Sequence, residues 1–176
     1  MPWKIDPSRT QIGFSVKHMV ISTVRGKFTR YDGVISLDDQ HPERSVIEGW
    51  VEVGRISTLD ATRDAYLRSP DFFDVEKFPK ITFRSKKITP AGGDKFRLVG
   101  ALTIKEATRD ITFAVSYKGQ KREPQGGMRR SLTADASLNR KDFALNWNAA
   151  LEAGGFLVGD EVKIHIVLEI VGEADV

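Results

Sequence analysis

From Ile12 the chain alternates, with Ile12, Phe14, Val16 and His18 on one face and Gly13, Ser15, Lys17 and Met19 on the other. A period of two marks a half-buried strand. The rhythm returns at Ile47, Val51 and Val53 against Glu48, Trp50 and Glu52, at Ile81 and Phe83, and at Phe96, Leu98, Gly100, Leu102 and Ile104. It continues at Ile111, Phe113, Val115 and Tyr117, at Leu132, Ala134, Ala136 and Leu138, and at Val162, Ile164, Ile166, Leu168 and Ile170. A further strand is predicted around Lys27 to Leu37, with a bulge near Gly33. Turn-forming stretches at 38–42, 90–94 and 124–127 separate the runs. Strand following strand at hairpin spacing predicts an all-β fold. Its antiparallel sheet would have about eight strands, a number that closes into a small barrel with room for one ligand.

One interval breaks the rhythm. Between Thr58 and Pro79, Asp60 is placed to cap a short helix starting at Ala61, and Ser69-Pro70 to cap a second. Two short helices are therefore expected across one end of the barrel, with Phe72, Phe73 and Phe78 as their apolar underside. No repeat, low-complexity tract or linker divides residues 1–176, so one domain is expected.

Composition narrows the function. Hydrophobic residues make up 40% and charged residues 29% of 176, a globular composition. The absence of Cys removes disulfides, thiolate metal sites and cysteine nucleophiles. His18, His41 and His165 stand in no zinc-binding spacing, so neither a metal nor a cofactor is expected. The net charge of +3 is spread too evenly to indicate nucleic acid. No apolar run approaches the ~20 residues of a membrane-spanning helix, and Met1-Pro2-Trp3-Lys4 does not read as a secretory leader, which makes cytoplasmic location the expectation. Neither a GxSxG elbow, a phosphate-binding loop nor a dinucleotide fingerprint is present, so the chain is not read as an enzyme.

The inward set is bulky, lightened by Gly100, Ala134 and Ala136. Two readings stand: small residues leave an apolar cavity, which is a binding site by default, or they accommodate Trp3, Trp50 or Trp147 in a filled interior. His18 continues the inward phase of Ile12, Phe14 and Val16. It is either a satisfied core histidine or a donor to a ligand head group at the barrel end. Arg63 is either part of a solvated helix face, on which Asp64 pairs with Arg68 at i,i+4, or a guanidinium at the cavity mouth suited to phosphate or carboxylate oxygens. Arg140, in the polar stretch Asn139-Arg140-Lys141-Asp142, belongs to a turn or, if buried with an acidic partner, forms a structural lock.

Taken together, several segments resemble the YceI-like family: Trp3-Lys4-Ile5-Asp6-Pro7, Phe14-Ser15-Val16-Lys17-His18-Met19, Val24-Arg25-Gly26-Lys27-Phe28, the run Thr62 to Asp74, Phe78 to Phe83, Gly100 to Ile104, Asn139 to Phe143 and Val158 to Val162. The resemblance implies a lipocalin-like barrel that holds a long apolar chain, typically a polyisoprenoid or related amphiphile. It departs at Ala144 and in the turn Lys105-Glu106, where the family tends to carry Gly.

The resulting expectation is a non-catalytic carrier or sequestering protein for a long-chain isoprenoid lipid of polyprenyl phosphate or isoprenoid quinone type. Phe14, Val16, Phe28, Phe72, Phe73, Phe83, Leu102, Phe113 and Trp147 are expected in the lumen, with His18, Arg63 and Arg140 at the head group. Two rivals differ in class. One is an enzyme acting on an isoprenoid in the same cavity, with His18 or Asp64 as acid or base; the other is a filled-core interaction module. Exposed sheet edges would allow a homodimer.

Overall fold

The fold is that of a computed structural model, which describes residues 2–18, 22–145 and 158–172. The strands are β1 (Pro2–Ile5), β2 (Gln11–His18), β3 (Ser22–Phe28), β4 (Tyr31–Ser36), β5 (Val46–Glu52), β6 (Ile56–Ser57), β7 (Lys80–Pro90), β8 (Lys95–Ile104), β9 (Ala107–Arg122), β10 (Met128–Asn139) and β11 (Val158–Gly172). Among the described residues there is one α-helix, α1 (Ala61–Arg68), and no helix long and apolar enough to cross a membrane.

Every pairing is antiparallel, and β1 closes the sheet by pairing with β4 on one side and β11 on the other. Three walls of the barrel are interrupted strands. β1 and β2 run end to end along β11, with Ile5 opposite Ile170 and Ile12 opposite Ile166. β3 and β4 continue one another in the same way, as do β5 and β6. With β7 to β11 the result is a closed antiparallel barrel of eight staves, as the strand pattern predicted. The β2–β3, β6–β7, β8–β9 and β10–β11 connections share one end, here called the mouth; the β4–β5, β7–β8 and β9–β10 connections form the far end, and the remaining three interrupt the wall between them.

Two local expectations are corrected. The strand predicted over Lys27 to Leu37 breaks at Thr29 and Arg30, not at Gly33. Gly33 sits opposite Gly49 in unbroken register, because a glycine there permits close backbone approach: a Cβ would lie 2.5 Å from the Glu48 carbonyl oxygen. At the actual break, Thr29 N–H donates to Arg55 O while Glu52 N–H donates to Arg30 O, so the two neighbouring staves bend together.

The second correction concerns the helices. Asp60 caps α1 as expected, its Oδ1 accepting from Arg63 N–H at 3.0 Å. No second α-helix follows. Ser69 ends α1 by donating its N–H and its hydroxyl to Tyr66 O, and the N–H groups of Phe72 and Asp74 turn back to Ser69 O. Phe73 N–H reaches Leu67 O. These turns bury both neighbouring rings, Phe72 and Phe73, edge to face with centroids 4.9 Å apart. Phe78 stays half-buried and outside the cavity lining.

Candidate functional site

The inward side chains leave a cavity of about 600 Å³ among them, within the usual size range of ligand sites. Its wall is almost wholly apolar, built from inward positions of nearly every stave together with Phe72, Phe73 and Leu67 from the mouth segment. Phe14, Val16, Phe28, Phe72, Phe73, Phe83, Leu102 and Phe113 all line it, as do Arg63 and Arg140. Trp147 and the side chain of His18 lie outside the described residues; the His18 backbone closes β2 at the mouth.

The openness of the lumen depends partly on glycine, though not as the sequence suggested. Gly100 does not leave empty volume. Its missing side chain is replaced by the Phe83 ring, 2.3 Å from where a Cβ would sit, and the Phe14 ring covers Gly26 at the same distance. Each ring therefore lies along the wall on a neighbouring stave instead of projecting toward the axis. Phe83 meets Phe113 edge to face at 5.3 Å, and Phe14 tilts against Phe28 at 5.6 Å. Ala134 lines the cavity, and Ala136 packs against the core beside it. Of the tryptophans proposed as filling, Trp3 lies beyond the lumen at the far end, against Arg130, whereas Trp50 borders the cavity and carries the Lys80 ammonium 4.1 Å from its ring centroid.

At the mouth the polar groups form one network centred on Thr58, which sequence reasoning missed. The Thr58 hydroxyl donates to Asp64 Oδ1 at 2.5 Å and accepts from Arg63 Nε at 2.8 Å. Thr58 N–H also donates to Asp64 Oδ1, and Arg63 Nη2 donates to Thr58 O at 2.9 Å. Asp64 is buried by these bonds, so the expected i,i+4 pair with Arg68 is replaced by an inward one. Asp64 is not part of the cavity wall, whereas Arg63 is. Arg63 is thus held by two of its donor groups at the rim, with Nη1 unbonded among the described residues. The role of Thr58 follows from its burial, which no local feature of the sequence marks.

Arg140 realises its alternative as a lock. It is 5% exposed and donates Nε to Gly159 O, Nη1 to Leu145 O and Nη2 to Asp160 Oδ1 at 3.2 Å. These acceptors tie the end of β10 to the start of β11, so this guanidinium is engaged by protein at the point where it borders the cavity. Ala144, one of the two departures, has φ 55°, and Lys105, in the other, has φ 56°. Both hold the left-handed backbone that glycine favours. Among the described residues no cluster of three or more acidic or histidine side chains could hold a metal ion.

Residues 3–170 match the YceI-like domain. The chain belongs to the YceI-like family. A UPF0312 protein of Staphylococcus aureus (strain N315) is 32% identical over 165 residues, covering 93% of this chain and 94% of the relative. Among solved structures, the Campylobacter jejuni YCEI protein superposes with a TM-score of 0.76 at 26% identity, covering 90% of each chain. The fold is shared with BcnA of Burkholderia cenocepacia, at a TM-score of 0.83, 21% identity and coverage of 94% of this chain and 98% of that one. It is also shared with a polyisoprenoid binding domain from Saccharophagus degradans, at 0.72 and 12% identity over 97% and 98% of the two chains. The family resemblance read from the sequence is therefore correct, and so is the barrel it implied.

Proposed function

We propose that this YceI-like barrel binds a long-chain isoprenoid or similar amphiphilic lipid in its lumen and carries or sequesters it without chemical change. The observation that carries the reading is the apolar cavity of about 600 Å³ inside the barrel. Burying hydrocarbon contributes roughly 0.8 kcal/mol per methylene, so a few isoprene units offset association costs and reach the ~8 kcal/mol of micromolar binding. The polyisoprenoid binding described for the Saccharophagus degradans domain supports the choice of tail, on a shared fold. An apolar wall discriminates by length and bulk and little else, so head-group selection falls to the mouth. There Arg63 is the contact we assign to an anionic or quinone head, with Thr58 fixing its orientation, and His18 completes the assignment. Arg140 acts as a positioning residue that holds the mouth strands, since its donors are already occupied.

The test is denaturing mass spectrometry of a solvent extract of the purified protein. A co-purified polyprenyl or acyl lipid is expected. A protein that stays empty after exposure to isoprenoid quinones and polyprenyl phosphates contradicts the reading.

A further inference from the structure

The cavity does not run the full length of the barrel. Below its last lining side chains, Ile5, Ile35, Leu132 and Leu168, the inward positions are filled. Arg130 continues the inward phase of Leu132 and Ala134, and pairs across the sheet with Ile170, which is 0% exposed. Its guanidinium lies 4.5 Å from the Trp3 ring and donates Nη1 and Nη2 to the two carboxylate oxygens of Asp39 at 2.6 and 2.8 Å. Gly172, next on the inward face of β11, has no side chain, and the Trp3 ring comes within 2.8 Å of where its Cβ would be. Tryptophan, arginine and aspartate thus span the barrel end from β10, across β11 and β1, to the chain after β4.

We propose that the Trp3–Arg130–Asp39 stack is a floor that sets the longest tail the lumen accepts. The inference rests on the cavity being a lipid site. A linear tail gains by burial until its end meets the Trp3 ring. Beyond that point the next group is a forked, bonded guanidinium, which offers hydrocarbon nothing and loses its carboxylate partner if displaced. Added methylenes then stay in water and add no affinity. Because the floor is an aromatic plate pinned by two parallel bonds, it gives a sharper limit than a flexible apolar plug would.

The experiment measures binding of linear isoprenoid alcohols of increasing length by displacement of an apolar fluorescent probe from the intact protein. Affinity is expected to rise by up to about four-fold per buried methylene and then to level off. In Trp3→Leu and in Arg130→Ala the levelling should move to longer alcohols, with the affinities of short ones changed less than three-fold. If one variant does not fold, the other decides the shift, and the plateau in the unmodified protein is a test on its own. Binding that climbs with length without a plateau, or a plateau that neither variant moves, overturns the floor. Failure of every alcohol to displace the probe overturns the lipid reading beneath it.

Discussion

The two ends of the barrel reverse the chain with different residues. At the far end, left-handed backbone falls on glycine: Gly92 and Gly93 between β7 and β8, Gly126 and Gly127 between β9 and β10. Among the described residues of the mouth it falls on Leu59, Asp74, Lys105 and Ala144, with φ between 52° and 62°. A Cβ in that region costs about 1 kcal/mol per residue, so the mouth holds conformational strain that the far-end turns avoid. Strain of this kind persists where surrounding bonds over-determine the backbone. The Thr58–Asp64–Arg63 network flanks Leu59, and Arg140 bonds Leu145 O directly after Ala144. The far end is closed by the stacked Trp3–Arg130–Asp39 group over relaxed turns, with Arg129 paired to Glu123, Asp6 and Glu169 beside it, while the mouth is held in shape by buried hydrogen bonds that fix left-handed backbone. The end expected to admit a ligand is the one where the backbone is constrained against its preferences.

The largest test of this contrast exchanges an arginine at each end. Arg140→Met should lower unfolding stability by about 3 kcal/mol, because two carbonyls and a carboxylate lose a buried cationic donor. Arg130→Met should cost no more than about 1 kcal/mol, since Asp39 is 60% exposed and regains water. Urea denaturation of both variants measures the difference. Next comes the wall between the ends. Gly100→Val should cost about 2 kcal/mol and push the Phe83 ring toward the axis, lowering probe binding in proportion to lost volume.

Smaller effects should have opposite signs at the two ends. Ala144→Gly and Lys105→Gly should each stabilise by about 1 kcal/mol, whereas Gly126→Ala should destabilise by a similar amount although its Cβ meets nothing. Thermal melts of these three variants decide it. The smallest effect is acidic. Hydrogen bonding by Arg130 lowers the Asp39 pKa, and hydrogen bonds from Ser8 and then Arg129 lower that of Asp6, which follows β1 at the same end. A depressed carboxyl contributes stability that is complete above its unfolded pKa of ~4 and lost as pH falls through the folded value. Stability should therefore fall below about pH 4, and Arg130→Met should remove the share that belongs to Asp39. An unchanged acid limb in that variant contradicts the assignment.

The staves were legible because period-two alternation is local: Ile164, Ile166 and Leu168 declare one face without reference to any partner. The lining residues followed from that phase, and so would Arg130 have done, two positions before Leu132. What the pattern could not show is who meets whom. Asp39 and Arg130 lie 91 positions apart, and Arg140 meets Asp160 across 20. Gly100 read either as empty space or as room for a tryptophan, because the ring that covers it belongs to another strand. The second helix failed for a related reason. Ser69, expected to cap a following helix, instead ends α1 on Tyr66 O, and burial of Phe72 and Phe73 in the barrel mouth outweighed local propensity.

The most direct test of a hydrocarbon-accepting lumen is titration of the purified, lipid-stripped protein with an environment-sensitive apolar dye. A saturable signal at one dye per chain, abolished by an isoprenoid alcohol and weakened in Gly100→Val, is predicted. A signal that never saturates, or that persists undiminished when the alcohol is added, would contradict it.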